Sequence, residues 1–564
     1  MDFKQEISLF LSNYINKSGD FIKELLEIPK DSDMGDYAFP CFLLSKELKK
    51  SPQMIASELF EKIGKNPFFL EKIEAKGPYI NFFIKHTVAA EQILSEIFSK
   101  KENYGKSDIG QGGVVAIDYS SPNIGKPFHI GHLRSTIIGH ALYNIFDALG
   151  YKPYSINFLG DWGTQFGKLI TAYKHWGEEE ALNQGGITEL NRLYVKFHEE
   201  VDKNKELDNE ARAWLVKMEQ GDEYALRLWS WFKDISMANY AQIYKRLNIS
   251  FDSYNGESFY NDKMQPVVQE LIEKNLLVDS EGAKIVDLEE YKMPPCLILR
   301  RDGGTLYPTR DIASALYRKK EYDFVKALYV TDHGQHLHFA QWFKVVELMG
   351  YDWAKDLRHI PFGLISFADG KLSTRKGNVL LMDDLLNDAV SKIAEIINEK
   401  NPSLENKAKV SEQVGIGAIK FNDLYNGRIK DIEFSWERML NFEGETGPYV
   451  QYTYARCASV LRKADINYNE PNFELLTNED EFSLIKTLAQ FPEKIKEAAD
   501  KLEPSVVSRY VMLVAQAFNR FYHNNTILKA EDGLKAARLA LTECAKITIA
   551  QALQLLGIET PEEM

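Results

Sequence analysis

"IDYSSPNIGKPFHIGHLRSTIIGHALYNIFDALG", residues 117–150, decides how the rest of the chain is read. It opens as the end of a strand, breaks at Pro122 and Pro127, and then carries a helical pattern as far as Gly150, a stop signal. The helix begins His129-Ile130-Gly131-His132. Upstream, "VVAIDYS" (114–120) completes the strand, and downstream "YSINFLG" (154–160) reads as the next one. Strand, helix, strand implies a parallel sheet. In such sheets ligands gather at the carboxyl ends of strands, where the following helix offers unpaired N–H groups and a positive dipole end to an anion. His129 and His132 can donate hydrogen bonds to phosphate there, Gly131 lets a base or a phosphate approach the backbone, and Lys126 adds a mobile positive charge. The set suits a nucleoside triphosphate.

Two histidines three residues apart also occur by chance, and they also suggest a metal. A catalytic zinc needs a third ligand. Neither His140 nor the group His333, His336 and His338 has a claim to that place, so polar lining or helix capping is the expected role of those three and zinc is not expected.

Outward from this segment the chain divides by pattern. Residues 1–110 read as a small α+β domain, with a helix at the start, another over "SPQMIASELFEKI" (51–63) and a strand in "GPYINFFIK" (77–85), followed by the linker "KSDIGQGG" (106–113). Residues 111–380 form the α/β part. It is interrupted at about 176–250 by a charged helical insertion rich in Glu and Lys, and the strand-and-helix pattern resumes with "PPCLILRRDGGTLYPTRDIASALYRK" (294–319) and "KALYVTDHGQHLHFAQWFKVVELMG" (326–350). A helical connecting segment is expected over 381–440 and an all-α domain over 441–564, which includes the aromatic and basic helix "GPYVQYTYARCASVLRK" (447–463).

Composition sets the class. The 564 residues, 45% hydrophobic and 27% charged, suffice for several domains with buried cores. No apolar run of about 18 residues is present, and the start "MDFKQEISLFLSNYINK" lacks a signal-peptide core, so a cytoplasmic protein is expected, with no membrane partner. The four cysteines, Cys41, Cys296, Cys457 and Cys544, are far apart and expected as thiols. A net charge of −14 confines any nucleic-acid contact to local patches.

About 240 residues beyond the histidines stands "ADGKLSTRKGNV" (368–379), with Lys371, Arg375 and Lys376 around Ser373 and glycine on both sides. A basic loop is usually solvated surface. A loop flanked by glycine can also close over a triphosphate and stabilise charge that develops on it. Two remote phosphate-handling elements on one α/β chain point to a common ligand.

The pair, His-Ile-Gly-His and Lys-Leu-Ser, resembles the class I aminoacyl-tRNA synthetases. "SSPNIGKPFHIGHLRSTIIG" (120–139), "FLGDWGTQFG" (158–167), "GGTLYPTRDIASA" (303–315), "KLSTRKGNV" (371–379), "ETGPYVQYTYAR" (445–456), "LLGIETPEEM" (555–564) and "GPYINFF" (77–83) narrow the resemblance to the arginyl-tRNA synthetases, across nearly the whole chain. It implies an α/β fold: a Rossmann-type parallel-sheet catalytic domain, a small α+β N-terminal domain contacting tRNA, and an all-α C-terminal anticodon-binding domain. It implies a ligase that activates L-arginine with ATP, releasing pyrophosphate, and passes the arginine to the terminal 2'-hydroxyl of its tRNA. Magnesium would travel with ATP, tRNA would be needed for activation itself, and the enzyme would be a monomer.

The resemblance also implies roles. Lys126, His129, His132 and Lys371 are the expected catalytic residues, and His129, Gly131, His132, Lys371 and Ser373 the ATP contacts. The full lid signature has a second lysine where Thr374 stands here, and Lys126 is expected to supply that charge. Selecting arginine requires acceptors for a planar fork of donors, which carboxylates provide. Asp118 and Asp311 are the candidates, joined by Tyr307 beside the guanidinium and Asn123, His129 and Gln335 near the amino-acid backbone. Tyr449, Tyr452, Tyr454 and Arg456 are expected on tRNA, their other role being core packing. A nucleotidyltransferase acting on a small metabolite is the rival reading, which needs far less chain; a non-catalytic tRNA-binding paralogue is another, and the intact phosphate signature argues against it.

Overall fold

The computed structural model describes residues 3–29, 31–367 and 380–564. Lys371, Ser373, Thr374, Arg375 and Lys376 therefore lie outside the described residues. By compactness the chain forms two units.

The first unit takes in residues up to Tyr104 together with Thr453–Phe491 and Met512–Gln551. Its sheet is antiparallel: β1 (Tyr37–Pro40), β2 (Leu70–Lys76) and β3 (Tyr79–Ile84), in the order β1-β3-β2. The expected strand over 77–85 is thus the central one, and its alternating residues Ile80 and Phe82 are fully buried. The helix expected over 51–63 runs Pro52–Lys62. Ser51 caps it by accepting from the Met54 N–H, and Pro52 fills its first turn, where an N–H has no helical partner. Within this unit the N-terminal residues pack on helices from the C-terminal third of the chain. The Tyr104 hydroxyl donates to the Leu488 carbonyl (2.9 Å), His86 stacks on Phe482 (3.5 Å between ring centres) and Lys486 pairs with Asp36 (3.0 Å).

The second unit, Gly105–Tyr452 with Pro492–Val511 and Ala552–Met564, carries the parallel sheet. Its strands are β4 (Val114–Asp118), β5 (Lys152–Ile156), β9 (Lys326–Asp332) and β10 (Leu357–Phe362), in the order β10-β9-β4-β5 and all parallel. Covered by helices, β4 and β9 read as continuous apolar runs, and Val115, Ala116, Ile117 and Ala327 to Val330 are buried. Helix Ile130–Ala148 connects β4 to β5. It meets the strand end closely: a side chain at Gly139 would come within 2.2 Å of the Tyr119 ring.

One expectation is corrected here. "PPCLILRR" does not resume the parallel sheet. Its strand β8 (Cys296–Leu299) belongs to a separate antiparallel sheet with β6 (Val278–Ser280) and β7 (Ala283–Val286). Four residues with apolar Cys296 and Ile298 buried suit a small one-faced sheet as well as a parallel edge, and the choice is made by neighbours distant in sequence. The last strands, β11 (Ile365–Phe367) and β12 (Ile432–Phe434), pair parallel to each other. The insertion is helical, with Glu179–Val201, Glu206–Glu219 and Glu223–Arg246, and residues 381–440 are mostly the helices Met382–Lys400 and Lys407–Leu424.

Candidate active site

The chain leaves β4 through an unusual turn. Ser120 and Ser121 both have left-handed backbone angles (φ 71° and 48°), which costs an L-residue about 1–2 kcal/mol each. A buried hydrogen-bond network offsets this. Ser120 N–H donates to the Ser135 hydroxyl (2.9 Å), which donates on to the Val330 carbonyl (2.6 Å). The Ser120 hydroxyl meets that of Tyr244 (2.7 Å) and accepts from Thr136 (2.8 Å), and Ser121 N–H donates to Asn157 Oδ1 (3.1 Å). At about 1 kcal/mol net per bond, the network suffices to hold the turn.

At the end of this loop His129 and His132 cap their own helix. His129 Nδ1 accepts the Gly131 N–H (3.0 Å), and His132 Nδ1 accepts the His129 N–H (3.2 Å), a reciprocal arrangement of the capping-box kind. The Ile130 N–H donates to the Leu380 carbonyl (3.1 Å). The expected open N–H groups at the helix start are therefore corrected: those of Ile130 and Gly131 are already taken. What the arrangement presents instead is a fixed tautomer. A ring nitrogen that accepts an N–H carries no proton, so each imidazole bears its proton on Nε2. Burial, with the Lys126 charge added, pulls His129 down to about 4, and burial with His129 beside it pulls His132 down to about 3. Both rings are neutral donors near pH 7. A side chain at Gly131 would come within 2.8 Å of the His129 ring, so this glycine serves the cap as well as any ligand.

Leu380 follows directly on the basic loop, and Met382 N–H donates to the Phe128 carbonyl (2.9 Å). The chain leaving that loop is thus bonded to the signature segment.

The insertion helix Glu223–Arg246 holds the signature loop from the other side. The Tyr240 hydroxyl lies 2.8 and 2.6 Å from the carbonyl oxygens of Asn123 and Lys126, and Ser236 accepts the Gly125 N–H (3.0 Å). Asp161 of "GDWG", fully buried, accepts from Lys233 (2.6 Å), from the Ser258 N–H and from the Ser258 hydroxyl (both 2.8 Å). Trp229, Lys233, Ser236, Tyr240 and Tyr244 are spaced 4, 3, 4 and 4 residues apart, one face of a helix. That spacing was the signal by which these residues could have been found. Lys126 is half-buried, and its ammonium lies 4.9 Å above the Tyr194 ring. Asn123 is exposed, and its side chain closes on Gly160, where a Cβ would come within 2.2 Å of Asn123 Oδ1.

A group of carboxylates lies beside the strand ends. Asp118, 7% exposed at the end of β4, pairs with the buried Arg318 (2.8 Å) and accepts from the Ser121 hydroxyl (3.0 Å). Burial pushes its carboxyl up while the Arg318 guanidinium, which keeps its proton, pulls it back. Asp311, on helix Tyr307–Tyr322, accepts from His338 Nε2 (2.6 Å), and Tyr307, one turn earlier, is 66% exposed. The Asp311 charge reaches both Asp118 and Glu257. Glu257, which the sequence reading passed over, lies 3.5 Å from Arg310, and burial foremost pushes its carboxyl up to about 7. Gln335 is exposed after β9 and donates to Asp332 (3.0 Å). Among the described residues, no three His, Cys, Asp or Glu side chains are placed to hold a metal ion, and no helix is long and apolar enough to cross a membrane.

Comparison with known proteins decides the family. Residues 93–436 match the model described as tRNA synthetases class I (R), catalytic domain. The chain is 53% identical to the arginine–tRNA ligases of Alkaliphilus metalliredigens, over 565 residues, and Clostridium perfringens, over 567, each match covering all of both chains. This chain is a member of the arginyl-tRNA synthetase family. The synthetase assignment extends to both ends: residues 1–84 match the arginyl tRNA synthetase N terminal domain and residues 450–564 the DALR anticodon binding domain. The fold agrees with the arginyl-tRNA synthetase of Thermus thermophilus (TM-score 0.82, 26% identity, 96% of each chain covered).

The expected tRNA contacts of this synthetase lie on helix Gly447–Arg462. Tyr449 is half-buried and Tyr452 is 40% exposed. Tyr454 is corrected to a core residue: it is 6% exposed, with the Lys546 ammonium 5.1 Å above its ring, and stacking on a splayed base requires an open face. Arg456 reaches Asn519 and sits 5.2 Å from the Tyr522 ring.

Proposed function

We infer that this chain joins L-arginine to its tRNA in two steps. The arginine carboxylate attacks the α-phosphorus of ATP in line, pyrophosphate leaves, and the adenylate then passes arginine to the terminal 2'-hydroxyl of the tRNA. The chemistry needs positioning and charge stabilisation more than covalent help. The single observation that carries the reading is the self-capped His129 and His132 pair, which leaves two neutral Nε2–H donors at the tip of the first Rossmann helix.

These donors are proposed to hold the triphosphate without adding charge, with Gly131 against the nucleotide and Lys126 swinging from Tyr194 to the developing negative charge. Lys371 and Ser373, outside the described residues, keep the roles the family pattern gives them. Magnesium would arrive on the phosphates. Asp118, Asp311 and Glu257 are proposed as the guanidinium pocket, with Tyr307 at its mouth and Asn123, His129 and Gln335 toward the amino-acid backbone. Against these three carboxylates stand two resident guanidinium groups, Arg318 and Arg310, so one negative charge is left for a cationic substrate once Glu257 is ionised. Tyr449, Tyr452 and Arg456 are proposed on the tRNA. Residues 1–110 are assigned to a tRNA-contacting domain, 111–380 to catalysis, 381–440 to a connector and 441–564 to anticodon binding. A monomer in the cytoplasm is the expected state, and four buried thiols suit a reducing compartment.

The test is ATP–pyrophosphate exchange with each amino acid, with and without total tRNA. Exchange is expected with arginine alone and only when tRNA is present. Exchange driven by another amino acid would remove the arginine assignment, and no exchange under any condition would leave a binding-only protein.

A further inference from the structure

We infer that His338 is a positioning residue for arginine recognition: its imidazole pins one oxygen of Asp311 so that the other faces the substrate guanidinium. The inference rests on the reading of Asp311 as a guanidinium acceptor. His338 stands in the first turn of helix His336–Leu348 and Asp311 in the first turns of Tyr307–Tyr322, so the contact joins the starts of two helices separated by β9 in the chain. Nε2 lies 2.6 Å from Oδ2, and the two side chains are 29% and 21% exposed.

A carboxylate at the end of an aspartate rotates broadly about its last bond. Bidentate recognition of a guanidinium requires the two planes to align, so an unpinned Asp311 would lose part of the substrate's binding energy to ordering. His338 removes that freedom. Its own ring is set edge-on against Phe339 (5.5 Å, 82°), which is buried and in turn stacked on His359 (4.5 Å, 8°). Asp118 is held at both oxygens, with Ser121 on Oδ1 and Arg318 on Oδ2. The two partners differ in kind. Arg318 cancels the charge it orients, whereas at 338 a single N–H suffices to orient Asp311, and only a donor without a fixed charge would leave the Asp311 charge for the substrate. A neutral donor at 338 should therefore work and a cation should not.

The experiment measures kcat and KM for arginine in aminoacylation of tRNA, with ATP and tRNA saturating, for full-length His338→Ala, His338→Gln, His338→Lys and Asp311→Asn, alongside KM for ATP and thermal melting. His338→Ala is expected to raise arginine KM at least fivefold, with kcat and the ATP KM within twofold of the parent. His338→Gln, which keeps a neutral donor, is expected to restore arginine KM to within twofold, and His338→Lys to resemble Asp311→Asn. An unchanged arginine KM in His338→Ala beside a raised one in Asp311→Asn overturns the positioning role and leaves the pocket standing. No effect of Asp311→Asn overturns the pocket and this inference with it. Equal loss of kcat and melting temperature in all three His338 variants overturns it in favour of a structural role. If His338→Ala does not fold, the Gln and Lys variants decide: a difference between them supports the role, and equality overturns it.

Discussion

At His129 and His132 one ring nitrogen serves the fold and the other is left for chemistry, because the acceptor face of each imidazole is committed to a backbone N–H. That division was not legible from residue types, which suggested donors but not their tautomer. Asp118 and Asp311 were legible as carboxylates at element ends; Glu257 was not, because it stands in a short loop helix with no periodic pattern to single it out. Its carboxyl is pushed up to about 7, so the proposed guanidinium pocket would be sensitive to pH. Protonation removes a negative charge, so arginine binding weakens as pH falls through 7. We expect arginine KM to rise several-fold between about pH 8 and pH 6, and the inflection near pH 7 to vanish in Glu257→Gln. A wild-type inflection in that variant would assign the pH dependence elsewhere.

At the scale of elements, the insertion helix Glu223–Arg246 belongs to the site scaffold. Its face of Ser236, Tyr240 and Tyr244 grips the loop that carries Lys126, and Lys233 anchors it to "GDWG" through Asp161. Reading the segment as a charged helical insertion captured its secondary structure and overlooked this polar face, since hydroxyls on a helix give little contrast against charged neighbours. Tyr240→Phe removes a single hydroxyl from the loop carbonyls and keeps the buried ring. Loss of one such bond is worth about 1 kcal/mol, and we expect single-turnover adenylate formation to slow about fivefold with melting nearly unchanged. An unaltered rate would show that the loop holds its shape without the helix. The misplaced strand β8 teaches the converse: short apolar runs specify a strand without naming its sheet.

For the molecule as a whole, four imidazoles of the second unit are held neutral by burial foremost: His129 and His359 at about 4, His132 and His140 at about 3. In the unfolded chain each would titrate near 6.5. Their folded pKa values are depressed, so unfolding takes up protons below that value. Stability from this source is present above about pH 6.5 and is lost as pH falls toward 4. Melting temperature should drop between pH 7 and pH 5, with net proton uptake measured by calorimetry in buffers of different ionisation heat, and His140→Asn should lessen the drop. A melting curve flat over that range would mean that opposing carboxylate shifts dominate.

The strand-helix-strand pattern around β4, the signature histidines and the family all followed from the sequence, because local periodicity and short motifs are properties of neighbouring residues. Which sheet β8 joins, which face of the insertion helix grips the site, that Tyr454 is buried and that Asp311 meets His338 were decided only by tertiary structure. Each of these depends on a contact between residues far apart in the chain, and burial is a property of the packed neighbours rather than of the residue itself.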